Sequence, residues 1–366
     1  MKAKIIGAGL SGLTVARILK DNGFDVEIFE KKNEIGGICL DQIINGKLVH
    51  TYGPHIFHTS NEEVWNFVNK YEKFKPIEFY IKVCVDNIEY EFPINSTSIQ
   101  VICKHLNIDV SPVLEKLSTL PRIITLNQLI EINKTLGEWI WNNNFVNYSQ
   151  KMWGLPIDKI DSSIINRIKL LSTNERNYFP EEKYISIPET SYAFFFKNLS
   201  KDIKISLNTD VTEQVLSLSE DNIVIYTGTV DAILNYKYGK LTYRSLKFEM
   251  KEELWPYDVS IINLPADPII TRKNNFNIYY NKVLPTKKEF VVYEKPCNYD
   301  GTNLPLYPLL DSKELYDKYA TEIKQSYPNI FFAGRVGTYK YLNMDQIIAQ
   351  AFQVAQEIIQ QTQTKL

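Results

Sequence analysis

The sequence predicts an α/β + α + β fold, in which a discontinuous Rossmann-like domain contains an inserted helical domain and an antiparallel β-sheet domain. The chain opens with a strand, a glycine-rich turn, an amphipathic helix and a second strand over residues 3–30, which is the pattern of a βαβ unit. From about residue 97 to residue 170, apolar residues recur at helical spacing. A strand at 329–334 and an amphipathic helix from 344 close the chain, so we expect its two ends to build one domain.

Changes in the strand and helix patterns set the expected domain boundaries. The Rossmann-like domain is expected at 1–75, about 195–235 and 322–366. The inserted helical domain is expected at 96–165, with one helical segment at 126–153 and another at 164–171. The antiparallel sheet domain is expected at 76–95, 166–194 and 236–321. In this last domain, 78–93 predicts a hairpin with Asp86 and Asn87 at its turn.

The charge balance argues against partners that are held by a long-range electrostatic field. The 366 residues include 41 Lys and Arg against 43 Asp and Glu, a formal net charge of −2. A nearly neutral chain has no long-range electrostatic field to attract nucleic acid or an anionic membrane surface. An anionic ligand must therefore be bound by a few basic side chains that lie within its site. No apolar run approaches the ~20 residues of a membrane span. The cysteines lack metal-ligand spacing, which predicts free thiols in a reducing cytoplasm: Cys39, Cys84, Cys103 and Cys297.

Arginine is scarce in this chain and tyrosine is abundant. Only seven of the 41 basic residues are Arg, whereas 23 residues are Tyr. A chain that otherwise uses Lys is expected to keep Arg where a planar, bidentate cation is needed. Tyrosine combines a stacking face with a hydroxyl group, so the excess fits a polar ligand site as well as an aromatic core.

The opening βαβ unit carries a dinucleotide-binding fingerprint. Gly7, Gly9 and Gly12 permit a tight turn and close approach of a pyrophosphate to a helix N-terminus, and Glu30 ends the second strand, where it can accept from a ribose hydroxyl. The following Gly36-Gly37 resembles the second glycine pair of the large FAD-binding family, which favours FAD over NAD. The expected cofactor contacts in this region are Gly7, Gly9, Leu10, Ser11, Gly12, Glu30, Lys31, Gly36 and Gly37.

Two further segments carry a more specific resemblance. Residues 50–59 (HTYGPHIFHT) are similar to the histidine loop, GAHIFHT, of bacterial UDP-galactopyranose mutases, and residues 243–249 (YRSLKFE) match a second block of that family. The resemblance implies an isomerase that converts UDP-galactopyranose to UDP-galactofuranose without net redox change, with N5 of reduced FAD as the nucleophile on the anomeric carbon. It also implies a cytoplasmic homodimer, a separate flavin reductant and a role in cell-surface polysaccharide biosynthesis.

The same resemblance assigns site residues. Arg167 and Arg272 match the two pyrophosphate arginines, and together with His55 and Tyr341 they form the expected catalytic set. The expected substrate contacts are Phe145, Tyr148, Trp153, Arg167, Tyr178, Arg244, Asn263, Arg272, Tyr307 and Tyr341, with Tyr148 stacked on uracil. The remaining expected flavin contacts are Gly53, His55, Ile56, Gly334, Arg335, Tyr341, Asn343 and Met344.

Departures from the family pattern keep two alternatives open. Asn343 stands where the family has an acid, Pro54 replaces an Ala, and Asn144 replaces an aromatic residue beside Phe145. The loss of the acid permits a catalytically impaired relative that binds a UDP-sugar. The N-terminal fingerprint alone permits an FAD-dependent oxidoreductase of the amine-oxidase type. His50, His55 and His58 lack a nearby acid within the motif, so no metal site is expected.

Overall fold

The computed structural model describes residues 1–160, 169–281 and 286–363. In this part of the chain the strands are β1 (Lys2–Ile6), β2 (Asp25–Phe29), β3 (Asp41–Ile44), β4 (Lys47–His50), β5 (Phe57–Thr59), β6 (Phe74–Pro76), β7 (Ile81–Val85), β8 (Ile88–Phe92), β9 (Ile123–Ile124), β10 (Leu170–Leu171), β11 (Tyr184–Pro188), β12 (Lys204–Ser206), β13 (Ile223–Tyr226), β14 (Tyr243–Leu254), β15 (Ile261–Asn263), β16 (Arg272–Asn274), β17 (Lys288–Asn298), β18 (Tyr307–Pro308) and β19 (Ile330–Phe332).

The helices of the described residues alternate with these strands and are densest between β8 and β10. They are α1 (Leu10–Asp21), α2 (Glu62–Tyr71), α3 (Ser96–His105), α4 (Val110–Ser118), α5 (Leu126–Ile132), α6 (Lys134–Ile140), a π-helical turn (Trp141–Val146), α7 (Asn147–Trp153), α8 (Tyr192–Leu199), α9 (Val215–Asp221), α10 (Val230–Ile233), α11 (Lys313–Ser326), α12 (Gly334–Gly337) and α13 (Met344–Gln363).

The Rossmann-like domain is built on a parallel five-stranded sheet with the order β12-β2-β1-β13-β19. Its strands come from distant parts of the chain, which confirms the prediction of a discontinuous domain. Leu13 of α1 and Ile348 and Ala351 of α13 are fully buried in one core cluster with Ile5 of the central strand. The carboxyl ends of these strands, where parallel sheets bind ligands, lie next to the glycine-rich turn.

The larger sheet has the order β18-β14-β17-β16-β15-β7-β8. It is antiparallel except for β7 and β15, which pair in parallel, so the predicted antiparallel sheet is mixed at this one position. The hairpin of β7 and β8 is confirmed, and Asp86 and Asn87 at its turn have φ of +50° and +63°, as a tight two-residue turn requires.

The helical domain differs from its prediction in two places. Asn133 ends α5 and begins α6 with φ −155° and ψ 111°, and its side chain accepts from the Leu136 N–H, so the segment 126–153 is not one continuous helix. Leu170 and Leu171, predicted as the end of a helix, pair with β9 as a short strand instead. Both side chains are buried, as their apolar character predicts. A short apolar run predicts burial but does not distinguish a helix from a strand.

Neither a membrane-spanning helix nor a cluster of metal ligands is found among the described residues. None of their helices combines the length and the apolar character needed to cross a bilayer. No three His, Cys, Asp or Glu side chains of those residues converge as a metal site would require.

Candidate functional site

The glycine-rich turn forms a cradle at the start of α1. A Cβ atom on Gly12 would lie 2.0 Å from the Gly7 carbonyl oxygen, so only glycine permits this turn. The Gly36 N–H donates to the Ala8 carbonyl oxygen at 2.8 Å, which draws the second glycine pair against the first. A Cβ on Gly37 would lie 3.0 Å from the Cα of Gly9, so the two backbones touch. These contacts join the two glycine segments at the carboxyl end of β1, where parallel sheets bind dinucleotides.

The N-terminus of α1 is prepared for an anionic group. The helix is capped by Gly9, which offers no side-chain cap to the first N–H groups. Ser11 Oγ is buried and has no hydrogen-bond partner in the described part of the chain. Gly334, with φ +80°, passes so close that a Cβ there would lie 2.9 Å from Ser11 Cβ. Free N–H groups and an unsatisfied buried hydroxyl fit the pyrophosphate of a flavin dinucleotide.

Glu30 is fixed in place at the end of β2. Its Oε2 accepts from the Ala8 N–H at 2.7 Å and its Oε1 accepts from the Lys32 N–H at 2.9 Å. Each oxygen keeps a second acceptor site, so a ribose hydroxyl can still donate to this carboxylate. Lys31, an expected contact, is exposed, whereas Lys32 donates to the Tyr52 hydroxyl at 3.2 Å.

The histidine loop is held by hydrogen bonds to its backbone. His55 Nδ1 lies 2.8 Å from the Gly53 carbonyl oxygen, and the His55 N–H donates to His50 Nδ1 at 3.2 Å. The Tyr192 hydroxyl donates to the His55 carbonyl oxygen at 3.0 Å. His50 stacks on Phe276, whereas His58 stacks on Phe179 and its Nδ1 lies 3.1 Å from Glu182 Oε1.

We predict that His55 stays neutral throughout the physiological pH range. Burial lowers its pKa to about 4, and the charges of Arg335 and Arg272 act in the same direction. Because the Gly53 carbonyl only accepts, the neutral ring carries its proton on Nδ1 and leaves a lone pair on Nε2. NMR of the imidazole should show no titration of His55 between pH 8 and about pH 5. A midpoint near 6.5 would contradict the lowered pKa of His55.

A row of polar side chains crosses the larger sheet. Asn263 pairs with Arg272 and Arg272 pairs with Glu294, on the adjacent strands β15, β16 and β17. Directly paired residues share a face, so the three side chains lie side by side. Arg272 Nε donates to Glu294 Oε2 at 2.8 Å, and Glu294 is 1% exposed. Asn263 Oδ1 is buried and lacks a partner among the described residues.

The electrostatics of this row favour a bound anion. Burial opposes the charged form of Arg272, yet the Glu294 carboxylate and nearby tyrosines hold its pKa well above the usual range. Of the guanidinium nitrogens, only Nε has a hydrogen bond to a described residue, so both Nη groups are available to phosphate oxygens. Glu294 was not expected from the sequence, because only the pairing of β16 with β17 brings it beside Arg272.

Aromatic side chains of the predicted site pack together near Arg272. Trp153 lies 5.7 Å from Tyr307 and 6.0 Å from Tyr341 between ring centroids, and the two tyrosines stack at 5.6 Å. Tyr148 and Tyr178 lie close enough to Arg272 to affect its pKa, and burial raises the pKa of Tyr148 to about 12. The structure therefore brings together Arg272 and the predicted ligand-binding set Tyr148, Trp153, Tyr178, Asn263, Tyr307 and Tyr341.

Arg335 links this aromatic group to the flavin cradle. Its guanidinium lies 4.7 Å from the Tyr341 ring centroid and 5.4 Å from that of Tyr307. It donates to the carbonyl oxygens of Leu342 and Leu306, which fixes the backbone on both sides. Arg335 directly follows Gly334 of the cradle, so the chain joins the two parts of the site here.

Two predicted substrate contacts are packed against other parts of the protein. Arg244 is 7% exposed and donates to the carbonyl oxygens of Met152 and Lys151 and to Asn298 Oδ1, so it supports the end of α7. Phe145 is 5% exposed and stacks on Trp141 in the core of the helical domain. The π-helical turn adds one residue to the helix repeat at this point, which the sequence pattern did not indicate.

Three other expected positions have different outcomes. Arg167 lies outside the described residues. The Ile56 side chain is buried in the core of the sheet and helical domains, which leaves its backbone for any flavin contact. Met344 is the first residue of α13 and is partly buried against the Rossmann core.

We predict that Asn343→Asp changes turnover by less than about tenfold, or ~1.4 kcal/mol. Asn343 precedes α13, its carbonyl oxygen accepts from the Ile347 N–H at 2.9 Å, and its own N–H donates to Gln346 Oε1. Asp and Asn both suit this helix-start position, so the backbone is expected to stay unchanged. Steady-state turnover measured as a function of pH tests this prediction. A gain of more than about tenfold, with a new carboxylate pKa in the pH profile, would show that a negative charge is needed at this position.

Comparison with known proteins assigns the chain to a family. A family model described as UDP-galactopyranose mutase matches residues 143–341, and one described as an NAD(P)-binding Rossmann-like domain matches residues 5–71. The chain belongs to the UDP-galactopyranose mutase family. It is therefore an isomerase and a flavoprotein, as the histidine loop and the YRSLKFE block predicted, and not an oxidoreductase of the amine-oxidase type.

Individual proteins named as mutases align with this chain over nearly its whole length. The chain is 32% identical to a dTDP-fucopyranose mutase of Escherichia coli, over 97% of both chains. It is 28% identical to a UDP-galactopyranose mutase of Mycoplasma pneumoniae, over 97% of this chain and 96% of the relative. A crystal structure of reduced UDP-galactopyranose mutase has the same fold, with a TM-score of 0.71 at 15% identity over 98% of this chain and 93% of the other.

Proposed function

We propose that this protein converts UDP-galactopyranose to UDP-galactofuranose and that its flavin is FAD in the reduced state. The observation that carries the proposal is Arg272, a half-buried cation that pairs with Glu294 and whose Nη groups have no hydrogen bond to another described residue. Tyr148, Tyr178 and Tyr307 lie close enough to Arg272 to raise its pKa. The ring centroid of Tyr307 also lies 5.4 Å from the guanidinium of Arg335, which follows Gly334 of the glycine cradle. A pyrophosphate and a flavin can therefore be bound within one site.

The residues of the chain have distinct tasks in this reaction. Arg272 binds the pyrophosphate, whose negative charge rises as the anomeric C–O bond breaks, and this stabilises the departing nucleoside diphosphate. We assign the hydroxyls of Tyr307 and Tyr341 to the same charge, because Tyr307 interacts with Arg272 and stacks on Tyr341. Glu294 keeps the guanidinium plane oriented, since its Oε2 accepts from Nε. When bound, reduced flavin would supply the nucleophile for the anomeric carbon, and no electrons would be consumed overall.

Other residues exclude water and hold the flavin side of the site. Trp153, 7% exposed, packs over Tyr307 and Tyr341 and limits access of solvent to the sugar. Neutral His55 and the Gly53 carbonyl form a fixed polar edge, because Tyr192 anchors the loop from behind. A flavin that stays reduced requires an electron donor outside this chain, and a homodimer remains the expected assembly.

The Escherichia coli relative favours a second candidate substrate, dTDP-fucopyranose. The two substrates share the pyrophosphate, and they differ in the base methyl group, the ribose 2′-hydroxyl and the sugar 6-hydroxyl. Asn144, which replaces an aromatic residue near the expected base pocket, is turned into the core: its Oδ1 accepts from the Tyr90 hydroxyl at 2.8 Å. It therefore does not read the base, and the choice between substrates rests on other contacts.

A direct competition decides between the two substrates. The FAD-loaded, reduced protein is incubated anaerobically with UDP-galactopyranose and dTDP-fucopyranose, and furanose products are separated by chromatography. We expect the higher kcat/KM for the UDP-sugar. A higher value for the dTDP-sugar would transfer the proposal to the second candidate, and binding of UDP without any furanose product would identify a catalytically impaired relative.

A further inference from the structure

Lys151 lies on α7, between Tyr148 and Trp153, and its ammonium group is enclosed by backbone oxygens. Nζ is within hydrogen-bonding distance of the carbonyl oxygens of Leu264 (2.6 Å), Pro265 (3.2 Å), Asp267 (2.5 Å) and Ile270 (2.7 Å). We call these four oxygens the carbonyl cage. An ammonium has only three N–H groups, so a cage of four acceptors binds it as a point charge rather than as a set of directed donors.

The carbonyl cage belongs to the loop that connects two strands of the site. This loop follows Asn263, the last residue of β15, and ends shortly before Arg272, the first residue of β16. It is stiffened from within, because Asp267 Oδ1 accepts from the N–H groups of Ile269 and Ile270 at 2.8 and 2.7 Å. A shift of α7 relative to this loop would therefore displace the aromatic side of the site against the arginine side.

Arg244 completes the attachment of α7 on its other flank. Its guanidinium donates to the Met152 carbonyl oxygen at 3.0 Å and to the Lys151 carbonyl oxygen at 3.1 Å. A Cβ on Gly154 would lie 2.8 Å from Arg244 Cζ, so the helix end rests directly on this cation. Lys151 is then the link that fixes the helix to the loop between Asn263 and Arg272.

We propose that Lys151 is a positioning residue: its ammonium fills the carbonyl cage and sets the distance between Tyr148 and Trp153 on α7 and Arg272 on β16. What these two sides bind rests on the proposed function, since Tyr148 is assigned to the base and Arg272 to the pyrophosphate. A nucleotide spans both groups at once, so their separation decides whether one ligand contacts both.

The carbonyl cage should accept other monovalent cations once Lys151 is shortened. Carbonyl oxygens that replace a hydration shell are the ligands of K⁺ in selective protein sites, and NH₄⁺ is of similar size. Burial lowers the pKa of Lys151 to about 8, so the natural occupant is still a cation at neutral pH. Lys151→Ala removes the side chain and leaves the four oxygens facing open space, whereas Lys151→Met fills that space without a charge.

The test compares Lys151→Ala, Lys151→Met and Lys75→Ala as full-length, FAD-loaded proteins. Lys75 is the matched control, because its Nζ donates to one carbonyl oxygen, that of Tyr279, at 2.7 Å. UDP affinity, turnover and the thermal unfolding midpoint are measured in tetramethylammonium, ammonium and potassium chloride at equal ionic strength. We expect Lys151→Ala in tetramethylammonium to lose at least about tenfold in UDP affinity and in kcat/KM, or ~1.4 kcal/mol each.

Ammonium or potassium should restore most of that loss in Lys151→Ala and none of it in Lys151→Met, while Lys75→Ala should respond to no salt. Near-normal UDP affinity in Lys151→Ala, or a loss that neither ion repairs, would overturn the proposal. If Lys151→Ala folds poorly, the proposal still predicts that ammonium raises its thermal unfolding midpoint more than tetramethylammonium does. An equal rise in both salts would contradict the binding of a cation by the carbonyl cage. This midpoint response also separates the proposal from the proposed function, because it stands even if the wild type neither binds UDP nor forms a furanose.

Discussion

Arg272→Ala is expected to lower kcat/KM by about a hundredfold or more while FAD is retained. Its two Nη groups are assigned to the pyrophosphate, and hydrogen bonds to charged groups are worth ~1.5–3 kcal/mol each. Arg272→Lys should recover only part of this loss, since an ammonium cannot bind Glu294 and two phosphate oxygens in one plane. Steady-state kinetics with the reduced enzyme measures both variants.

The same substitution is expected to destabilise the fold in a pH-dependent way. It leaves Glu294 buried without its partner, which costs about 3–5 kcal/mol for a fully desolvated charge. Burial already raises the pKa of Glu294, so without Arg272 the folded state binds a proton more readily than the unfolded state. Stability should therefore fall as pH rises, and the unfolding midpoint of Arg272→Ala should be lower at pH 8 than at pH 5.

Two controls separate the charge on Glu294 from the binding of pyrophosphate. The double variant Arg272→Ala with Glu294→Gln should be more stable than Arg272→Ala at pH 8, and its kcat/KM should remain low. Arg122→Ala removes an exposed arginine that pairs with Glu175, so we expect normal activity and a stability change of at most about 1 kcal/mol. Normal kcat/KM in Arg272→Ala would refute its assignment to the pyrophosphate.

The second large effect is expected for Gly37→Val, which should lower the affinity of the protein for flavin by at least about tenfold. Gly37 has φ +61°, and a side chain there would press on Gly9 across the cradle, 3.0 Å from its Cα. Gly46→Val is the matched control, because Gly46 has φ +76° at a hairpin turn and open space around it. Both variants suffer the same backbone strain, so only a specific loss of flavin absorbance in Gly37→Val supports the cradle.

The parts of the fold that sequence predicted well are those with strong local periodicity. The βαβ opening, the hairpin at Asp86-Asn87 and the closing helix each carry an alternating or helical pattern over many residues. The glycines at 7, 9 and 12 predicted the cradle because steric limits on φ and on close approach are local properties. The break at Asn133 was not predicted, since it depends on one side chain that caps a new helix.

The candidate site was predicted through a family resemblance, and the residues that it missed have roles defined by tertiary contact. Glu294 becomes informative only when β16 and β17 pair and bring it to Arg272. Lys151 resembles any surface lysine of an amphipathic helix until the loop 264–270 folds over it. Arg244 lies in the YRSLKFE block on which the resemblance rests. The sequence does not show that its guanidinium donates to backbone carbonyl oxygens of the protein.

The most direct test of the central claim is product formed per electron pair in an anaerobic reaction. The FAD-loaded protein is reduced with a limiting amount of dithionite, excess reductant is removed, and UDP-galactopyranose is added. We predict many furanose products per reduced flavin, a flavin that is still reduced at the end, and no product from the oxidised protein. Turnover by the oxidised protein, or one electron pair consumed per product, would contradict a mutase that uses reduced flavin without net redox change.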